Sequence, residues 1–149
     1  SNNINYTVMK GLSAIMLKVG NFDFFDDIVI DTTIEGFIKR NLKTQDGWDT
    51  MIDNDNKTFI FFLGYDKMGA LNGLIEELGK LPTDTPVVTK FEDVTDSLLH
   101  TNEFKDYTET CDRTKQFLLE NLEIDSILEK ITRDGIESLT ETETMVLGA

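Results

Sequence analysis

Lys57-Thr58-Phe59-Ile60-Phe61-Phe62-Leu63-Gly64, then Asp66–Leu81 (DKMGALNGLIEELGKL) and Pro86–Phe91 (PVVTKF), is the stretch that decides the fold class of this chain. The first segment is a near-continuous apolar run, the pattern of a strand buried on both faces. In the second, Met68, Leu71, Leu74, Ile75 and Leu78 recur at helical spacing, with Asp66 placed to cap the helix and Gly79 to stop it. Pro82 and Pro86, the only prolines, bracket Thr83-Asp84-Thr85 as a turn, and Pro86–Phe91 then starts a second strand. The whole is a β-α-β unit, long enough for a crossover between parallel strands.

Upstream the pattern is mixed. Tyr6–Lys18 fits a strand by its β-branched residues and a helix by Leu12, Ile15 and Met16. Asp26–Asp31 (DDIVID) predicts a strand, its apolar triplet held between charges. Thr33 then opens a short helix with Ile34, Phe37 and Ile38 on one face, weakened at Gly36 by about 1 kcal/mol relative to Ala. Gln45–Asn56 is polar and turn-rich. Within it Asp53-Asn54-Asp55-Asn56-Lys57 begins like a calcium loop, but Thr58 stands where that loop needs Gly and Gly64 where it needs a bidentate Glu. A connecting turn is the expectation there.

Downstream of Phe91 the chain turns helical and acidic. Glu92–Leu99 predicts a short acidic helix, and Phe104–Leu122 and Ile124–Thr132 predict longer ones. Gly135 follows as a stop, and Thr140 with Glu143 forms a capping box for a last helix. Residues 1–75 carry 10 acids and 7 bases, whereas residues 76–149 carry 18 acids and 7 bases. Most of the net charge of −14 therefore lies in the second half.

That charge bounds function. Coating nucleic acid or docking on an anionic membrane requires an excess of Lys and Arg, so direct nucleic-acid binding and membrane binding are not expected. A single Cys (Cys111) and a single His (His100) exclude an intrachain disulfide framework and a multi-histidine metal centre. Pairing these two as base and nucleophile would need a shared pocket, but Cys111 falls in a helical pattern near its apolar stripe. No catalytic residue, cofactor site or metal site is expected. Ser1–Asn5 has no basic start and no long apolar run follows, so neither a secretory signal nor a transmembrane helix is expected, and the lone thiol suits a cytoplasmic setting.

Two places remain for function. Glu92, Asp93, Asp96, Glu103, Asp106, Glu109 and Asp112 form an acidic set suited to a protein partner with a basic surface. Gly64, Asp66 and Lys67, after the buried strand, are the alternative: a small-molecule or nucleotide pocket at a strand-to-helix turn. The P-loop lysine and hydroxyl are missing after Gly69, and Asp66 would repel an anion. The phenylalanines Phe22, Phe24, Phe25, Phe37, Phe59, Phe61 and Phe62 are expected in the core. Phe24 or Phe25, if outward on a strand edge, would offer a β-augmentation site.

The segment Ser126–Glu143 (SILEKITRDGIESLTETE) resembles a tail motif, ILxKIxxxGIxSLTxxE, found at the C-terminus of many otherwise unrelated proteins, often bacteroidete ones. The resemblance implies a helix, a Gly turn and a capped helix, and no chemistry. The expectation is one α+β or small α/β domain over 1–149. Its 1–91 half holds a small mixed sheet with the β-α-β unit, and its 92–149 half is an acidic helical region. The expected function is that of a non-enzymatic protein-interaction module, phage- or mobile-element-encoded, regulating or inhibiting its partner. The alternatives are a small-molecule-binding or enzymatic α/β domain and a structural virion protein. Acidity and Asn/Lys/Ile usage suggest the phage connection.

Overall fold

The computed structural model describes residues 13–42, 50–121 and 124–148. The chain divides into two units, Ser1–Asp93 and Val94–Ala149. The fold is α+β, with an antiparallel sheet in the first unit and helices alone among the described residues of the second.

In the sheet unit, β1 (Ser13–Val19), β2 (Thr50–Asp53), β3 (Thr58–Leu63) and β4 (Val88–Asp93) are arranged in the order β2-β3-β1-β4. Tyr6–Lys18 thus resolves in favour of a strand from Ser13 onward, while its residues 6–12 lie outside the described residues. Every pairing is antiparallel. Both β3 and β4 run against β1, so they run parallel to each other with β1 between them. The expected crossover does join parallel strands, but they are split by a third strand and share no hydrogen bonds.

All six residues of β3 are buried. Alternation along the strands sends Ile15, Leu17, Phe59, Phe61 and Leu63 to one face and Ala14, Met16, Ile60 and Phe62 to the other, also buried. On the first face lie α1 (Phe24–Asn41) and α2 (Met68–Gly79). Ile30, Ile34, Phe37 and Ile38 of α1 and Met68, Leu71, Leu74, Ile75 and Leu78 of α2 close one core with the sheet. Phe37 meets Phe61 edge-to-face at 5.3 Å between ring centroids.

Three sequence expectations are corrected here. Asp26–Asp31 is helix, not strand, and α1 begins nine residues before Thr33. Asp23 caps it, accepting a hydrogen bond from the Asp26 N–H at 2.9 Å, and Ile30 continues the i, i+4, i+7, i+8 face of Ile34, Phe37 and Ile38. The apolar triplet was thus split between two helix faces. Asp66 does not cap α2: it sits in a 3₁₀ turn, Tyr65–Lys67, and the backbone of Lys67 starts the helix with no side-chain cap. Gly79 is the last helical residue, followed by a right-handed Lys80, so it is no left-handed stop.

Part of the polar 45–56 stretch is strand β2. The Asp53–Lys57 segment is the hairpin turn into β3, where Asp53 accepts hydrogen bonds from the Asn56 backbone (3.2 Å) and side chain (2.8 Å). Lys57 takes φ 50° to complete it.

The helical unit contains α3 (Thr95–His100), α4 (Thr108–Asn121), α5 (Ile124–Asp134) and α6 (Glu141–Gly148), with a 3₁₀ turn, Ile136–Ser138, between the last two. Glu92 and Asp93, expected at the head of this helical region, belong instead to β4. Counted by unit, the charge is more even than by sequence halves. Residues 1–93 hold 15 acids and 9 bases, net −6, and residues 94–149 hold 13 acids and 5 bases, net −8.

Candidate interaction surface

The predicted acidic set is divided between the units. Glu92 and Asp93 lie on β4 opposite Met16 and Ile15, and Glu92 pairs with Lys90 at 3.2 Å. Asp96 is exposed in the first turn of α3, and Glu103 and Asp106 are exposed in the turns before α4. Glu109 and Asp112 stand three residues apart on α4, away from buried Thr110, Thr114 and Leu118. Glu109 is paired with Arg113 at 3.0 Å. These groups therefore do not form one helical set: Glu92 and Asp93 are on a strand, and Glu92 and Glu109 each hold a cation.

Gly64, Asp66 and Lys67 stand together at the carboxyl end of β3. The Lys67 N–H donates to the Gly64 carbonyl at 3.0 Å, so the turn uses that backbone donor internally, and the Asp66 side chain is exposed.

The most prominent exposed surface in the described sheet unit is one the sequence marked only in part. Phe24, Phe25, Ile28 and Val29 occupy the first turns of α1 on the side opposite Ile30, Ile34 and Phe37. The two phenylalanines, expected in the core, are instead 72% and 78% exposed and touch each other edge-on, with centroids 5.7 Å apart. They lie on a helix, so the expected β-augmentation edge is not there: a helix has no free ladder of N–H and C=O groups to offer. Asp23, Asp26, Asp27 and Asp31 are interleaved with these four residues, and no base occurs between 23 and 31. Asp27 reaches Lys57 at 3.7 Å, and Asp31 sits one helical turn from Ile28. Solvated apolar side chains of this size within an acidic rim are the pattern of a contact surface.

His100 and Cys111 stand on different helices. His100 is exposed at the end of α3. Cys111 is half-buried in α4, its Sγ 3.9 Å from the Phe104 carbonyl. Burial, and next the neighbouring Asp112, push its thiol above the ordinary value, away from the thiolate a nucleophile needs.

The tail is bound by one shared carboxylate. Glu143 Oε1 accepts from the Thr140 N–H at 2.9 Å, while Thr140 Oγ1 accepts from the Glu143 N–H at 3.1 Å, completing the predicted capping box. The same Oε1 lies 2.6 Å from Lys130 Nζ on α5. Burial pushes the Glu143 carboxyl up, but the hydrogen bonds from Lys130 and Thr140 outweigh it and hold the group below its ordinary value. Gly135 turns the chain at φ 86°, and Ser138 Oγ donates to its carbonyl at 2.6 Å. The Lys, Gly, Ser, Thr and Glu of the tail motif are therefore the residues that fold α5 onto α6.

Among the described residues, no helix is long and apolar enough to cross a membrane. Residues 118–148 match the model of a family of unknown function (DUF6576), which covers the end of α4 and the α5–α6 tail. No curated protein and no solved structure matches the chain.

Proposed function

We propose that this chain is a non-enzymatic protein-interaction module whose partner presents a basic, partly apolar surface, and that by covering that surface it regulates or inhibits the partner. The reading is carried by the Phe24-Phe25-Ile28-Val29 face of α1, exposed within a run of four aspartates. The aromatic and branched side chains would supply the desolvated anchor, and the aspartates, with a net charge of −14 behind them, the long-range attraction. An apolar patch with an acidic rim selects a partner segment with the inverse pattern: an apolar stripe flanked by Lys and Arg. The acids of the helical unit would add to the steering field without needing to form contacts.

The test is binding of a labelled amphipathic Lys/Leu helix peptide to the full chain, followed by fluorescence anisotropy. Affinity should fall steeply as salt rises from about 50 to about 500 mM. Phe24→Ser with Phe25→Ser should weaken it by about tenfold or more. Equal binding at both salt concentrations would exclude the electrostatic part, and unchanged binding by the double variant would exclude the anchor.

A further inference from the structure

In the helical unit, Asp96 and His100 stand four residues apart on α3, one turn above the other on the same face. The first turn of α6 brings Glu141 to them. One ligand atom from each residue lies within 4.8 Å of the others, and all three side chains are exposed. We propose that Asp96, His100 and Glu141 form a divalent transition-metal site that fastens α3 to α6.

The donor set decides the class of ion. One imidazole nitrogen with two carboxylate oxygens suits zinc and its borderline neighbours, whereas magnesium and calcium prefer oxygen alone. Tetrahedral zinc with bonds near 2.0–2.1 Å holds its ligand atoms about 3.4 Å apart. From a spacing of at most 4.8 Å this is a closure of no more than about 1.4 Å, within the rotamer freedom of exposed side chains. Three protein ligands would leave a position for water. The sequence hides this cluster because Glu141 follows His100 by a long stretch of chain, and only the packing of α6 beside α3 brings them together.

The imidazole is also a direct reporter, because His100 is the only histidine in the chain. Zinc chloride titrated into the full chain should shift the His100 ring signals in the NMR spectrum and saturate at one equivalent by calorimetry. His100→Ala, Asp96→Asn and Glu141→Gln should each weaken uptake by about tenfold or more. Magnesium at the same concentration should leave the ring signals in place. Glu137→Gln, at an exposed carboxylate outside the cluster, and Cys111→Ser should leave zinc binding unchanged. Circular dichroism without metal checks that each variant folds, and the wild-type titration decides the matter even if one does not. Unshifted ring signals, binding that survives His100→Ala, or equal loss in Glu137→Gln would overturn the proposal. The last result would mean that zinc collects on the acidic surface at large.

Discussion

In the sheet unit, Phe61 has no exposed surface and lies between Phe37 and Phe59, inside a core to which both helices and the two central strands contribute. In the helical unit, among the described residues, each helix buries a single apolar side chain: Leu98 from α3, Leu118 from α4, Ile127 from α5 and Val146 from α6. There the geometry is set by directional bonds: the capping box, the Lys130–Glu143 pair, the Gly135 turn, and Thr114 Oγ1 donating to the Thr110 carbonyl at 2.8 Å. Burial is non-directional and scales with area, so the sheet unit should tolerate changes of charge and pH and suffer from lost volume. The helical unit should do the reverse.

The largest effect is expected in the sheet unit. Phe61→Ala removes a ring in contact with two others and should cost about 3–5 kcal/mol, read as a fall in the urea midpoint. Amide exchange should show the loss in the β1 and β3 amides. A cost below about 1 kcal/mol would mean that the core is not packed as described.

Gly135→Ala comes next. At φ 86° and ψ 161° the backbone lies in a region that is essentially reserved for glycine, and an added Cβ would come within 2.9 Å of Glu137 Oε2. The glutamate can swing away, but the dihedral strain cannot, so a loss of about 1–3 kcal/mol is expected, confined to the exchange of α5 and α6 amides. Protection lost in the sheet unit as well would show that the two do not open separately.

Glu143 gives the comparison its pH dependence. Its carboxyl is held below the ordinary value in the fold, so its contribution is complete above the ordinary glutamate range. It is lost as pH falls below that range through the lowered folded value. The α5–α6 amides should therefore lose protection in acid before those of β3 do. Glu143→Gln keeps an acceptor for the Thr140 N–H but gives up the negative charge that faces Lys130, and should cost about 1–2 kcal/mol and abolish that acid step. An acid step that persists in Glu143→Gln would assign it to other carboxylates.

What the sequence disclosed follows the same division. Thr58–Leu63 is legible because burial on both faces writes itself as an unbroken apolar run, Met68–Gly79 because burial on one face writes itself as a periodicity, and Thr140 with Glu143 because a capping box is local. Asp26–Asp31 misleads because Ile28 and Val29 are apolar yet exposed, so the apolar pattern of α1 has two faces where a stable helix needs one. β2 is hidden because a short strand with an exposed Ile52 lacks the apolar alternation that marks a buried one. The acidic set was visible as composition, but its placement was not: nothing local says that Glu92 and Asp93 end a strand. Phe24 and Phe25 are legible only as the alternative of an outward strand edge, and the helix they begin is what shows that Ile28 and Val29 extend the patch.

The smallest expected effect on stability is the most informative about function. Ile30→Ser, on the inner face of α1, should cost several kcal/mol, since it empties most of the apolar volume of a fully buried side chain. Phe24→Ser with Phe25→Ser, on the outer face of the same helix, should change stability by no more than about 0.5 kcal/mol, because those rings are mostly solvated in the folded chain. Asp23 still caps the helix in that variant, so α1 keeps its start. Two solvated phenylalanines that contribute nothing to folding carry a cost in solubility, and the double variant should accordingly stay monodisperse to higher concentration on gel filtration. A destabilisation as large as that of Ile30→Ser would mean that the rings are structural, and would remove the observation on which the interaction reading stands.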